Sequence, residues 1–315
     1  MTVPGLAGTP RVRRQPFLQL SENRIAYLLV LPTLLILIGL AVYPLGWTLA
    51  TAFRSDNLFN PLAARWVGPR NFEFLFFNDD TFWKTLRLAG IWCAITVPVQ
   101  LILGLFLAML LDTSMRGIGI LRTLIVIPVF ITPVALGLSW RAMFEPIGGL
   151  LNYLLQGVGL EKSLWHTHPD TALLSVMIVD IWQWTPFVTL ILLAGMQGIS
   201  PEVVEAARLD RVRGLTYLRR IVLPLIWPVV TVVLLLRLVD EIRIFDVILI
   251  ITRGGPGSST LLASMNIYSI FHAGRLGVMA AYGVLMVIAI NIVVISFLRV
   301  LHRQERATRQ KVGGA

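Results

Sequence analysis

The sequence predicts an all-α, polytopic membrane protein with six transmembrane helices and both termini cytoplasmic. Hydrophobic residues make up 56% of the 315 residues and charged residues only 14%, whereas soluble domains contain about 25% charged residues. Apolar windows of about 18 residues or more, long enough to cross a bilayer, recur along the chain. Lys and Arg are more frequent in the connecting segments on the side of the membrane that holds the N-terminus than in the segments on the opposite side. This bias favours a cytoplasmic location for both termini.

Six apolar windows qualify, or nearly qualify, as membrane spans. They are residues 25–53, 88–111, 123–140, 171–201, 221–236 and 276–298. Asp180 interrupts the fourth window, and the fifth has a charged extension that begins at Arg237. We therefore expect a six-span domain at residues 25–298, between cytoplasmic tails at residues 1–24 and 299–315.

The first window follows a basic segment that resembles the start of a signal peptide, with Arg11, Arg13, Arg14 and Arg24. A cleavable signal has an apolar region of about 7–15 residues. This window is about twice as long, and no small-residue cleavage site follows it. We expect it to remain in the mature protein as a membrane anchor. A disordered tail that contains Pro and Gly precedes it.

The connecting segments differ in character. Residues 54–87 form the longest outer loop, in which W-V-G-P-R-N-F-E-F-L-F predicts an interfacial turn and a short helix. Residues 112–122 form a tight inner turn with Gly117 and Gly119. Residues 143–170 contain G-G-L-L-N-Y-L-L, an apolar stretch too short to span that should lie on the outer surface. T-R-G-G-P-G at residues 252–257 predicts a turn that is either a plain hairpin or a contact for a soluble protein.

Composition also excludes several classes of protein. The net charge of +10 is mostly the charge bias across the membrane, and no nucleic-acid recognition motif accompanies it. Cys93 is the single cysteine, so an intrachain disulfide is impossible. The sequence has no G-x-x-x-x-G-K-[ST] loop for ATP, and its four histidines have no metal-ligand spacing within the spans. We expect no cofactor, no metal and no covalent catalysis.

A polar segment between the fourth and fifth spans predicts a short helix in a loop at residues 196–224. Ser200, Pro201 and Glu202 give a helix start, with an N-cap, a first-turn proline and a carboxylate. Ala206 and Ala207 would let another protein approach closely, and Glu205 offers a charge-assisted bond at the edge of that contact. The alternative is an amphipathic helix on the lipid headgroups, which the basic run after it favours.

This segment resembles the E-A-A loop of permease subunits of binding-protein-dependent ABC importers, whose pattern is E-A-A, three residues, G, nine residues, I-x-L-P. Arg211 stands at the position of the glycine in that pattern, and Gly214 follows three residues later. The resemblance implies a coupling surface for a cytoplasmic ATPase. Its residues are Glu205, Ala206, Ala207, Asp210, Gly214, Ile221, Leu223 and Pro224.

Charged residues also lie within the predicted spans. Arg237 lies about 20 Å above Pro224 at 1.5 Å per residue, past the midplane of a core about 30 Å thick, and Asp180 reaches a comparable depth. Such charges cost at least about 2.5 kcal/mol each unless paired or facing water. Arg237 with Asp240 and Glu241 has the spacing of a structural ion-pair cluster. The other interpretation is a polar site for a hydrophilic solute, because aromatic faces and charged groups suit a sugar.

The resemblance places substrate contacts of maltose-type members on the spans before and after the E-A-A loop. Counted from Glu205, they fall on Asp180, Gln183, Trp184, Phe187, Arg237, Asp240 and Glu241. R-I-F-D at residues 243–246 looks like trehalose-type permeases. The implied function is inward transport of an oligosaccharide or polyol by ATP-driven alternating access in a bacterial inner membrane.

The same resemblance implies the partners. They are a homologous second permease, two copies of an ATPase and a soluble or lipid-anchored substrate-binding protein, with membrane lipid around the spans and no nucleic acid. Two alternatives within transport are a permease for another solute, such as glycerol phosphate, and an ion-coupled carrier that uses the buried carboxylates as a relay. The carboxylates near Arg237 would repel a phosphate.

Overall fold

The structure, a computed structural model, describes residues 22–113 and 115–313, so most of the predicted N-terminal tail lies outside it. Apart from an isolated bridge between Arg54 and Trp66, these residues contain no β-structure, and the all-α prediction is confirmed. The α-helices, in chain order, are α1 Glu22–Leu37, α2 Tyr43–Ala52, α3 Arg70–Glu73, α4 Asp80–Leu111, α5 Ile118–Phe130, α6 Pro133–Met143, α7 Leu150–Gly157, α8 Pro169–Gln197, α9 Pro201–Leu209, α10 Gly214–Tyr217, α11 Leu223–Ile242, α12 Asp246–Ile251, α13 Ala263–His272 and α14 Leu276–Gly313.

The chain divides into two units, residues 1–48 and 49–315. In the first unit, α1 continues through a π-helical turn at Ile38–Val42 into α2. The apolar segment Tyr27–Ala52 is long enough to cross a bilayer, and its side chains are exposed over most of its length. The predicted anchor is therefore a helix with an apolar surface on all sides, as expected of a lipid-facing span.

The second unit contains the remaining candidate spans. Among the described residues, five helical segments are long and apolar enough to span a membrane, or six if the bent pair of α5 and α6 is one span. α4 and α8 pack along each other at the centre of this unit, and α5 and α11 pack against α8. The prediction of a polytopic helical membrane protein is confirmed.

The third predicted span, residues 123–140, is not a single helix. α5 ends at Phe130, α6 begins at Pro133, and the two are bent by 94°. Proline has no N–H to donate and forces the residue before it out of the helical conformation. Thr132 is accordingly extended, with φ −62° and ψ 142°. The hydropathy of residues 123–140 predicted the apolar character of α5 and α6 but not the break between them.

The fifth and sixth spans also differ from the prediction. α11 extends through the charged residues as far as Ile242, and a non-helical segment at residues 243–245 then separates it from α12. Asp246 therefore begins a new short helix and does not continue α11. At the C-terminus, the backbone of α14 stays helical to Gly313, beyond the predicted end of the span at residue 298.

The contact between α4 and α8 depends on a small residue. A Cβ atom built on Gly104 would lie 2.6 Å from Val188 Cγ1 and 3.2 Å from the Thr189 backbone nitrogen. Small residues at helix crossings in membranes let the backbones approach closely. Below this crossing Ala108 and Leu111 of α4 pack with Leu192 of α8 and Ile226 of α11 in a buried cluster, which holds the three helices together.

Candidate functional site

Asp180, Arg237 and Glu241 meet in the interior between α8 and α11, as the shared depth predicted. Their side chains are 0%, 1% and 1% exposed. Arg237 forms an ion pair with Glu241, one helical turn along α11, and its Nη2 lies 3.7 Å from Asp180 Oδ2. Ion pairs in the membrane interior therefore connect α8 and α11, the two spans that flank the loop at residues 196–224.

Two residues of α4 that the sequence patterns did not single out complete this network. Gln100 Nε2 donates to Asp180 Oδ2 at 2.7 Å and to Glu241 Oε1 at 3.1 Å, and Gln100 Oε1 accepts from Arg237 Nε at 2.8 Å. Trp92 Nε1 donates to Glu241 Oε2 at 2.5 Å. A buried amide in an otherwise apolar span was the available signal, because such a group needs a partner.

This network separates the predicted residues into two groups. A charge held in the membrane interior is stable only when it is paired and hydrogen-bonded. Glu241 accepts hydrogen bonds at both carboxylate oxygens, whereas Asp180 accepts one at Oδ2 and none at Oδ1 among the described residues. Arg237 Nη1 forms no hydrogen bond among the described residues and lies 3.8 Å from Asp240 Oδ2. Asp180 and Glu241 are thus closed off from solvent, while Arg237 keeps one donor without a hydrogen bond.

A cavity of about 340 Å³ lies beside the network, and Arg237 belongs to its wall. The predicted residues Gln183, Trp184 and Asp240 also line it. The Arg237 guanidinium carbon lies 4.8 Å above the centre of the Trp184 ring, which is a cation–π contact. Phe187 does not line the cavity but packs edge-on against Trp184, with ring centroids 6.0 Å apart.

Both helix breaks lie at this cavity. Arg243, Phe245 and Asp246 contribute to the wall from the break after α11, and Pro133 contributes from the start of α6. Gln183 Nε2 donates to the Ile131 carbonyl at 3.3 Å, which satisfies an acceptor left free where α5 ends. Broken helices that line a cavity at membrane depth are typical of transport proteins, because irregular backbone is tolerated where it faces water or protein.

The cavity wall also exposes charge that is available to a solute. The side chain of Asp240 is 42% exposed and that of Arg243 is 59% exposed, and Arg243 Nη2 donates to Asp240 Oδ1 at 2.7 Å. Asp246 is exposed at the start of α12. The wall thus combines an aromatic face, a guanidinium donor and carboxylates, the groups that bind hydroxyls and stack on rings.

The polar segment before α11 folds as predicted at its start. α9 begins at Pro201, with Ser200 in the N-cap position. The Ser200 side chain caps no backbone group; the Ser200 hydroxyl and the N–H of Glu202 itself lower the pKa of the Glu202 carboxyl. The helix start is stabilised by a carboxylate at its positive end.

α9 presents only part of the predicted coupling set to solvent. Glu205, Ala206 and Asp210 are exposed, whereas Ala207 is 4% exposed and packs within the chain. That both alanines allow a partner to approach stays a prediction, and in this structure Ala206 is exposed while Ala207 packs against its own chain. Periodicity explains the difference, because adjacent residues on a helix point about 100° apart.

The turn after α9 is made by Arg211. Arg211 has φ +54°, its N–H bonds the Arg208 carbonyl at 3.1 Å, and the Val212 N–H bonds the Ala207 carbonyl at 3.0 Å. These two bonds define a Schellman motif, whose left-handed position glycine usually occupies. Gly214 also has a left-handed φ, of +59°, and begins α10. The second glycine thus makes a turn of its own and does not replace the first.

The remaining predicted coupling residues connect this segment to the membrane interior. Ile221 lies in a π-helical turn, Leu218–Val222, and Leu223 and Pro224 open α11. Val222 and Ile226 are buried with Met196 at the end of α8. The helical path from Gly214 through the π-helical turn and α11 to Arg237 is therefore continuous, and the non-helical residues 210–213 connect it to α9.

Membrane-spanning helices around a polar cavity, with broken helices in its wall, are typical of membrane transport proteins. Residues 73–307 match the family model described as "Binding-protein-dependent transport system inner membrane component". The chain belongs to this family. It is a permease component of ABC transport systems, a multi-pass inner-membrane protein and not an enzyme.

Several relatives are similar over most of their length. The chain is 31% identical to the trehalose/maltose transport system permease protein MalF of Thermococcus litoralis, over 90% of this chain and 95% of that protein. It is 31% identical to the trehalose transport system permease protein SugA of Mycobacterium tuberculosis, over 81% and 82%. It is also 31% identical to the sulfoquinovosyl glycerol transport system permease protein SmoG of Agrobacterium fabrum, over 80% and 82%.

A solved structure has the same fold. It is a chain of a bacterial ABC transporter involved in the import of the acidic polysaccharide alginate, with a TM-score of 0.77 and 23% identity over 89% of this chain and 96% of that chain. The likeness covers most of both chains, so the arrangement of the helices is that of a known importer fold.

Proposed function

We propose that this chain is the permease subunit of a bacterial ABC importer and that it translocates a neutral sugar, an oligosaccharide or polyol, inward by ATP-driven alternating access. The cavity beside Arg237 carries this proposal. Its wall joins the Trp184 ring to Nη1 of Arg237 and to the exposed carboxylate of Asp240. Hydroxyls accept from the guanidinium and donate to the carboxylate, while the aromatic face covers a sugar ring.

The charge of the cavity favours a neutral solute over an acidic one. Asp240 and Asp246 bring two carboxylates to the wall, and Arg243 is bound to Asp240. Arg237 is neutralised by Glu241. A sugar phosphate or uronate would meet uncompensated negative charge at Asp246, which disfavours the glycerol phosphate alternative. The printed names of two relatives, for trehalose/maltose and for trehalose, support the same substrate class.

The residues predicted to bind substrate have two roles in this proposal. Trp184, Arg237 and Asp240 touch the solute, with Gln183 at the edge of the cavity. Asp180 and Glu241 are positioning residues, which fix the guanidinium of Arg237 from behind, and Phe187 supports the Trp184 ring edge-on.

The proposed partners follow from the same mechanism. A homologous permease would close the cavity from the other side, one of two ATPase subunits would dock on α9, and a substrate-binding protein would deliver the sugar at the opposite end. ATP-driven movement of α9 would pass through Leu223 and Pro224 into α11. Since α11 bears Arg237, the motion would switch the cavity between its two openings.

Replacing Trp184 by Ala tests the proposed site. We expect uptake of radiolabelled trehalose or maltose by the reconstituted transporter to fall at least about tenfold, because a stacking face worth about 1.4 kcal/mol or more is lost. Trp182→Ala is the matched control: it lies two residues away on α8 and packs against Trp140, with centroids 5.5 Å apart, outside this cavity. Equal uptake by the two variants would exclude Trp184 from the solute path.

A further inference from the structure

α7 presents an unusual apolar surface for a helix that does not cross the membrane. Its outer side carries Leu150, Tyr153 and Leu154, and Tyr153 is 74% exposed. The segments on either side add Ile147, which is 91% exposed, and Val158, which is 74% exposed. We call these five residues the α7 face. An exposed apolar surface of this extent marks an interaction site.

The opposite side of α7 is fastened to the protein by one buried amide. Asn152 Nδ2 donates to the Ser163 carbonyl at 2.9 Å and to the Pro146 carbonyl at 3.2 Å. Asn152 Oδ1 accepts from the Ser163 N–H at 3.0 Å and from Trp165 Nε1 at 2.8 Å. All four hydrogen-bonding capacities of this side chain are used, so the helix is held with the α7 face turned outward.

The position of this loop in the chain determines what the face can meet. Residues 144–168 connect the α5–α6 pair to α8, which are candidate membrane spans. α8 begins at Pro169, directly after the 3-10 turn Trp165–Thr167, which packs against it. The loop is therefore tethered at the N-terminal end of a candidate membrane span, where the membrane surface is expected.

The charge of the loop favours a lipid surface over a charged protein surface. Glu161 and Lys162 are adjacent and opposite in sign, and Glu145 lies at the end of α6. None of the five residues of the α7 face carries a charge. Tyr153 is amphipathic, and tyrosine is enriched at the membrane–water interface because its ring is apolar and its hydroxyl is polar.

We infer that the α7 face is a membrane-surface anchor that inserts into the headgroup and acyl boundary of the leaflet at the N-terminal end of α8. The anchor holds the loop between the third and fourth spans against the lipid. It also gives α6, and with it the break at Thr132 that borders the transport cavity, a fixed point on the bilayer. The occupant of the face is phospholipid, bound by apolar burial as in other interfacial helices.

Spin labels on α7 test this inference. In a Cys93→Ser background, Leu154→Cys places a label on the α7 face, and Gln156→Cys places one on a different, polar side of the same helix. The full-length chain, with its co-purifying subunits, is reconstituted in vesicles of phosphatidylethanolamine and phosphatidylglycerol. Collision with oxygen, which partitions into lipid, is compared with collision with a water-soluble nickel chelate.

We expect the ratio of oxygen to nickel accessibility to be several-fold higher at position 154 than at position 156. Nickel accessibility at both positions would place the α7 face in water, and exclusion of both reagents from position 154 would place it under a protein partner. Either result would overturn the inference. Tyr153→Cys, on the same face, replaces Leu154→Cys if that variant is not recovered as folded protein.

Discussion

Arg211 shows how one residue can depart from a motif while the backbone keeps the motif's shape. The Schellman turn after α9 is complete, although a side chain with a Cβ occupies its left-handed position. A left-handed conformation costs roughly 1–2 kcal/mol for residues other than glycine. The hydrogen bonds of Arg211 and Val212 to the last turn of α9 offset that cost.

We therefore predict that Arg211→Gly stabilises the protein by about 1 kcal/mol or less. Glycine removes the strain, and part of the gain is lost because its unfolded state is more flexible. Thermal unfolding of the purified chain in detergent should show a higher midpoint. Gly214→Ala is the matched control with the opposite expected sign. Gly214 has φ +59° and open space where the added Cβ would lie, so backbone strain alone should lower the midpoint. A lower midpoint for Arg211→Gly would mean that the arginine side chain itself stabilises the turn.

The buried carboxylate of Glu241 is the closest charged partner of Arg237. Glu241→Ala leaves Arg237 without its closest partner in the membrane interior, which costs about 3–5 kcal/mol. The amount of folded, detergent-stable protein should fall together with uptake. Asp246→Asn, at an exposed carboxylate of the same cavity, should leave folding unchanged. If the Glu241→Ala protein stayed fully folded, the ion pair of Glu241 with Arg237 would not be needed for the fold, and any loss of uptake would come from the binding site alone.

Among the helices, α4 and α8 approach each other closely where they cross, and both helices hold the polar network beside the cavity. Gly104 meets Val188 where a Cβ has no room. The same two helices supply Gln100 and Asp180 to the polar network. The separation of the two helices at this crossing therefore sets the geometry of the network one turn away.

We predict that Gly104→Ala destabilises the protein by about 1–3 kcal/mol, because the added methyl group forces the helices apart. Gly90→Ala is the control on the same helix, since nothing lies within 4 Å of the position that its added methyl group would take. The midpoint of thermal unfolding should fall for Gly104→Ala alone. Val188→Ala should restore part of the loss in the double variant, and the absence of any restoration would show that the contact is not limiting.

For the molecule as a whole, the predicted coupling loop at residues 196–224 and the cavity lie at opposite ends of α11. α9 lies at one end of α8 and α11, and both helices reach the network of Asp180 and Arg237. α10, the π-helical turn and α11 are continuous from Gly214, and four non-helical residues connect them to α9, so we expect a force on α9 to move α11. Transport and ATP hydrolysis should therefore be coupled through this segment.

Glu205→Lys tests that coupling. Glu205 is exposed on α9, and reversing its charge should weaken docking of the proposed ATPase without affecting the fold. In proteoliposomes with all proposed subunits, we expect substrate-stimulated ATP hydrolysis to fall several-fold while the permease stays inserted. Lys162→Glu, an exposed charge in the loop before α8 and outside residues 196–224, is the matched control. Unchanged stimulation in Glu205→Lys would exclude α9 as the docking element.

Much of this architecture follows from local sequence. Long apolar windows require helices in a bilayer, since every backbone group must be bonded within the segment, and this predicted the spans of α4, α8 and α14. Ser200 and Pro201 fixed the start of α9 because cap and first-turn preferences are local. The shared depth of Asp180 and Arg237 followed from helical rise alone.

Other features depended on contacts between distant parts of the chain. The bend at Thr132 was missed because hydropathy averages over a window and does not register one proline. Ala207 turned inward, and Gln100 and Trp92 joined the polar network, because these outcomes depend on which faces of different helices meet. Local sequence patterns were therefore sufficient to predict an all-α membrane protein with buried charges at one depth. They could not predict which of those charges are closed off as ion pairs and which line a cavity, because pairing and solvent access depend on the distances between helices and not on their order in the chain.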